Sequence, residues 1–127
     1  MIKKTITYTD YNDDAVTESF HFHISKIELL DNMDLRYELQ QLIEELQGEE
    51  RELEESTVQK ILSMVRRLIE LGYGVRSEDG KRFFKSPEIL ADFKSSNAYD
   101  AILFELFETP EKATQFLTGI LPRDLLE

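Results

Sequence analysis

Two runs of strict alternation open the chain and limit how it can begin to fold. In residues 2–9, Ile2, Lys4, Ile6 and Tyr8 point one way and Lys3, Thr5, Thr7 and Thr9 the other. In residues 16–24, Val16, Glu18, Phe20, Phe22 and Ile24 share a face opposite Thr17, Ser19, His21 and His23. A period of two, carried by Ile, Thr, Tyr, Val and Phe, is the pattern of a strand with one buried side. The polar stretch 10–14, centred on Asn12, Asp13 and Asp14, reads as the turn between them. The spacing predicts a β-hairpin over residues 1–24. A lone hairpin is marginal in water, so its apolar face needs a cover that later residues must supply.

Those later residues carry helical periods. Ser25-Lys26-Ile27-Glu28 has the spacing of a capping box. Ile27 and Leu30 are expected to begin an apolar face, with Asn32 or Asp34 interrupting or restarting the helix. Leu35, Leu39, Leu42, Ile43 and Leu46 make a helical stripe that Gly48 can stop. Ser56 or Thr57 can cap the next helix. Its stripe is Val58, Ile61, Leu62, Val65, Leu68 and Ile69; Gly72 and Gly74 end it, and Arg66 and Arg67 suit its C-terminal half. Asp79-Gly80 suggests a tight turn or small hairpin in residues 75–86, with Phe83 and Phe84 turned in and Lys81, Arg82 and Lys85 turned out. Ser86-Pro87 and Thr109-Pro110 each pair a cap with a proline in the first helical turn, and Ser95-Ser96-Asn97 supplies caps between them. Ile89, Leu90 and Phe93 mark a short helix. Tyr99, Ile102, Leu103, Leu106 and Phe107 mark a second, and Ala113, Phe116, Leu117, Ile120 and Leu121 a third, limited by Gly119 and Pro122. The expected fold is α+β: an N-terminal β-hairpin packed against a mostly helical body of about five or six helices over residues 25–127, all in one domain.

Charge and composition narrow the function. Lys and Arg total 15 against 26 Asp and Glu, a formal net charge of −11. Nucleic acid and anionic membranes both select cationic surfaces, so neither is an expected partner. The basic group around Phe83 and Phe84 is too small to reverse that balance. There is no cysteine, which removes disulfides, thiol catalysis and zinc–thiolate sites. No stretch approaches the roughly 20 apolar residues of a membrane span. Residues 5–10 make no signal-peptide core after Lys3-Lys4. A soluble, cytoplasmic protein is expected.

Motifs for chemistry are sparse. His21 and His23 share a strand face but bring no identifiable third metal ligand. Gly72-Tyr73-Gly74 is not a phosphate loop, and neither a Gly-Lys-Ser/Thr motif nor a serine-nucleophile elbow occurs. Neither cofactor, metal nor enzymatic activity is expected. Seven glutamates, Glu44, Glu45, Glu49, Glu50, Glu52, Glu54 and Glu55, read as a solvated helix end and an acidic first turn, or else as a dock for a basic partner. The aromatic C-terminal third is mostly core, but Phe104 falls off the main stripe and suits an exposed patch for a partner helix. The expected partner-contact residues are Phe104, Phe107, Phe116 and Leu117.

Three stretches add a resemblance: residues 4–12 with Thr17, Glu18, Phe20, Phe22 and the helix start at 25–29; Gly72-Tyr73-Gly74 with Ser77, Asp79, Gly80, Arg82, Phe83, Lys85 and Ser86; and Phe116-Leu117, Gly119-Ile120-Leu121-Pro122, Asp124 and Leu125. In this order they resemble the tail assembly chaperones of long-tailed bacteriophages, especially those of phages and prophages of Gram-positive bacteria. The glutamate-rich segment 44–55 departs from the pattern. The resemblance implies a non-catalytic protein of the host bacterial cytoplasm, absent from the mature virion. It would bind the tape measure protein and keep it soluble while the tail tube assembles. A longer frameshifted form would engage the tail tube protein, and self-association is compatible with the role. The alternative from composition is an acidic inhibitor that mimics nucleic acid or occupies a basic partner.

Overall fold

The computed structural model describes residues 1–47 and 55–120. Gly48, most of the glutamate cluster, Leu121 and Pro122 lie outside the described residues.

The hairpin forms as the alternation predicts. Strand β1 (Ile2–Thr9) pairs antiparallel with β2 (Ala15–Phe22) in an unbroken register from Ile2 opposite Phe22 to Thr9 opposite Ala15. Asp10 holds the turn: its carboxylate accepts from the backbone N–H of Asn12 at 2.8 Å and of Asp14 at 3.0 Å. Ile6, Phe20, Phe22 and Ile24 are buried on one face. On the other, Thr5 and Thr7 are hydrogen-bonded through their hydroxyls to Ser19 and Thr17, each at 2.8 Å. The sheet extends further than the sequence reading. Strands β3 (Tyr73–Arg76) and β4 (Phe83–Phe84) form the expected small hairpin, with Gly80 at φ 74° in its turn, and β3 pairs with β2. The sheet has four antiparallel strands in the order β1-β2-β3-β4.

Six helices follow or intervene among the described residues: α1 (Lys26–Asp31), α2 (Met33–Gln47), α3 (Glu55–Gly72), α4 (Pro87–Lys94), α5 (Asn97–Leu106) and α6 (Pro110–Gly119). Local chemistry starts three of them. The Ser25–Glu28 capping box is complete at α1, and the Ser86 and Thr109 hydroxyls accept from the backbone N–H of Ile89 and Lys112. Asn32, not Asp34, breaks α1 from α2: its amide donates to the Glu28 carbonyl at 2.7 Å. Ser56 and Thr57 lie inside α3 rather than ahead of it. In α1 the buried residue is Leu29, while Ile27 and Leu30 face solvent, because a helix this short presents only one residue to the core.

The helices pack on the apolar side of the sheet, α5 against β1, α3 against β2 and α4 against β3. Phe93 gathers an aromatic cluster between the layers: its ring stacks on Tyr73 at 4.1 Å and meets Phe20 at 5.3 Å and Tyr99 at 5.6 Å. Arg67 does not serve the end of α3. It bridges to α2 instead, 2.8 Å from Glu38 and 3.4 Å from Asp34.

The β3–β4 region reverses part of the expected inside–outside pattern. Phe84 is exposed, whereas Lys85 turns inward. Its ammonium donates to the carbonyls of His23 and Leu71 and to the Glu28 carboxylate. Gly74 is a strand residue, not a helix stop. A Cβ there would stand 2.5 Å from the Phe83 ring and 2.8 Å from the Phe84 carbonyl oxygen.

Candidate functional site

Helices α3 and α5 build an apolar groove. On α3, Val58, Leu62 and Arg66 recur at i, i+4 and i+8 and form one row. The row flanks the buried stripe of Ile61, Val65, Leu68 and Ile69, and it stays open to solvent: Val58 is 40% and Leu62 36% exposed. On α5, burial of Ala98, Tyr99, Ile102 and Leu106 leaves Asp100, Leu103 and Phe104 on the other sides, with Phe107 at its C-cap. The two rows enclose an open space of ≈ 540 Å³.

Leu103 and Phe107 pack down onto the core, but Phe104 is 77% exposed. Burying a phenyl side chain is worth about 1.5–3 kcal/mol, which this residue forgoes in the free protein. Arg66 and Asp100 put one charge of each sign on the rim. Arg66 Nε donates to the Tyr99 hydroxyl at 3.4 Å, a contact that raises the Arg66 pKa. At about 1.5 Å per residue the row from Val58 to Arg66 spans about 12 Å, enough for the about 10.5 Å over which a docked helix presents anchors at i, i+4 and i+7.

Of the four residues expected to touch a partner, Phe104 and Phe107 line the groove. Phe116 and Leu117 are core residues of α6, 3% and 0% exposed, and the Phe116 ring meets Phe22 edge-on at 5.7 Å. Because α6 packs against both α3 and α5, they sit behind the groove walls. Val58 and Leu62 read as core from periodicity alone. The available signal was the width of the α3 stripe, broader than one neighbouring helix can cover.

The other candidate groups do not converge. A second space of ≈ 350 Å³ between α2 and α3 is lined by Glu38, Lys60 and Arg67, and Glu38 and Arg67 already neutralise each other. His21 and His23 lie on the sheet face away from the helices. Burial, followed by the nearby cations Arg76 and Lys3, lowers the His21 pKa. Burial also leads the lowering at His23, whose ring stands edge-on to Phe83 at 6.2 Å. Among the described residues no three His, Cys, Asp or Glu side chains are grouped to hold a metal ion. Nor is any helix long and apolar enough to cross a membrane.

An apolar groove open to solvent is the kind of surface that contacts another chain. The sequence model of a family described as phage tail assembly chaperone matches residues 1–127. The chain belongs to the phage tail assembly chaperone family. No curated protein and no solved structure matches it. The family model covers the whole chain, including the glutamate-rich segment 44–55, where the sequence resemblance departs from the pattern.

Proposed function

We propose that this protein is a non-catalytic chaperone that binds the tape measure protein and keeps it soluble in the host bacterial cytoplasm during tail tube assembly. It acts as a single domain over residues 1–127 and is absent from the mature virion. A longer frameshifted form engages the tail tube protein. The groove between α3 and α5 holds one amphipathic segment of the tape measure at a time, with Phe104 and Phe107 in contact and Phe116 and Leu117 supporting the walls. The observation that carries this reading is Phe104, a large aromatic residue left 77% exposed beside the apolar rows of α3 and α5.

Charge supports the same occupant. At a net −11 the chaperone repels further copies of its own complex and keeps a loaded tape measure dispersed. Several copies, each covering one short segment, hold a long helical protein through many weak contacts that the growing tube can displace in turn.

The test is co-expression with the tape measure protein of the same phage. The expected outcome is a soluble complex that survives high salt, because the contact is apolar. Phe104→Asp should retain the fold and lose the complex. A complex unaffected by this substitution would move the contact away from the groove. A complex that dissolves steeply with salt would favour an acidic mimic instead.

A further inference from the structure

The geometry points to a second interaction surface, independent of the groove: the free edge of β1, which pairs antiparallel with β1 of a second copy about a two-fold axis at Thr5. Strand β1 ends the sheet, is eight residues long, and runs without proline or bulge. Long, regular edges of this kind are templates for a further strand.

The ladder shows which backbone groups are open. The Asp10 N–H donates to the Asp14 carbonyl at 2.9 Å, so Asp10–Asp14 is a hydrogen-bonded pair. Counting back by alternation, the even residues of β1 bond to β2, and Lys3, Thr5, Thr7 and Thr9 turn their N–H and C=O outward. The Thr9 carbonyl confirms the parity: Asn97 on α5 reaches around the edge and donates to it at 2.8 Å. Among the described residues Asn97 is the side chain that caps this edge, and Lys3, Thr5 and Thr7 are left for a partner strand.

These constraints select both the occupant and the register. Placing Thr5 opposite Thr5 of the second copy sets Lys3 opposite Thr7, Lys4 opposite Ile6 and Ile2 opposite Tyr8. Every open group of Lys3, Thr5 and Thr7 then has a partner, Thr9 keeps Asn97, and buried faces meet buried faces. A slip one way sets Lys4 against Lys4, a like-charge pair. A slip the other way needs the carbonyl that Asn97 occupies. The strand is also polar along its length, with Lys3 and Lys4 at its start and Asp10, Asp13 and Asp14 at its turn. Antiparallel pairing brings each cationic end to within about 10 Å of the other copy's anionic end, close to one Debye length at 0.1 M salt. On the helical side, Ala101 shares a face of α5 with Asn97, held at Thr9, and Glu105, held at Lys4, and its methyl group packs against the core. The product is a closed two-fold dimer with one continuous sheet.

The chain has no cysteine, so one can be placed at will. Directly opposed, hydrogen-bonded residues of antiparallel strands stand about 5.5 Å apart at Cα, within disulfide range. Thr5→Cys should cross-link to a dimer under mild oxidation, while Thr17→Cys, on the inner strand, stays uncross-linked. By light scattering the wild type should show twice the 14.9 kDa chain mass. Thr5→Pro removes an outward N–H, Thr5→Lys sets like charges on the axis, and both give up the exposed hydroxyl contact with Ser19; each should halve the observed mass, with circular dichroism unchanged. A wild-type monomer at every concentration would overturn the proposal. So would a dimer that persists in both the Thr5→Pro and Thr5→Lys variants, or equal cross-linking at Thr17.

Discussion

Lys85 Nζ donates to Glu28 Oε2 at 2.7 Å, and the same ammonium donates to the carbonyls of His23 at 2.7 Å and Leu71 at 2.8 Å. One side chain thereby ties the end of β2, the start of α1, the end of α3 and the strand β4. It neutralises Glu28 and satisfies a carbonyl in the last turn of α3. Both partners are about three-quarters shielded, with side-chain exposures of 24% and 29%. Lys85→Met should lower stability by about 2–3 kcal/mol, since a hydrogen-bonded charge is removed and its acceptors are left unpaired. Urea unfolding measures this. Lys85→Arg should not restore it, because a planar guanidinium does not match three converging acceptors.

Acid should destabilise the protein in two steps. Burial and neighbouring cations hold the pKa values of His21 and His23 below the ordinary 6.5. Between the folded values and 6.5 the unfolded chain binds more protons, so stability falls as pH drops through that window. At Glu28, burial pushes the pKa up, but hydrogen bonds from Lys85 and Ser25 outweigh it and bring it below 4.5. Its contribution is present above pH 4.5 and is lost as the pH falls through the lowered folded value. Denaturant midpoints from pH 7 to 3 should show both limbs. Replacing both histidines by Gln should flatten the upper limb, and Glu28→Gln the lower.

What could be read in the sequence was what short-range chemistry decides. The hairpin follows from a period of two, and the starts of α1, α4 and α6 follow from Ser25, Ser86 and Thr109, whose cap partners lie three residues away. The pairing of β2 with β3 was hidden, because His21 meets Gly74 across a long stretch of intervening helix. Lys85 was misread for the same reason: its acceptors come from three separate elements. Phe104 was legible as a residue off its stripe, whereas Val58 and Leu62 were not. Periodicity reports which side of a helix is apolar, but only tertiary packing decides how much of that side a neighbour covers.

Gly74 should tolerate no side chain. A Cβ would lie 2.5 Å from Phe83 Cε2 and 2.8 Å from the Phe84 carbonyl oxygen, so both a ring and a backbone would have to move. Gly74→Ala should cost about 1–3 kcal/mol, the range for overpacking. Gly74→Ala combined with Phe83→Ala should recover only part of this, because the backbone contact remains. Thermal melts of the two variants and of Phe83→Ala alone give the coupling.

The groove and the core beneath it should separate in a stability scan. Phe104 is 77% exposed, so Phe104→Ala should change stability by no more than about 0.5 kcal/mol. Phe116 is 3% exposed and packs against Phe22, so Phe116→Ala should cost about 3–5 kcal/mol. Leu117, fully buried, should cost about 2–5 kcal/mol on truncation to Ala. Each is measured by urea unfolding of the free protein. Tape measure binding should follow the opposite order once variants are compared under folding conditions. Phe104→Ala should weaken it most, because of these three residues only Phe104 moves from water to an interface when the complex forms. If Phe116→Ala folds fully yet loses as much binding as Phe104→Ala, the docking surface would have to include α6.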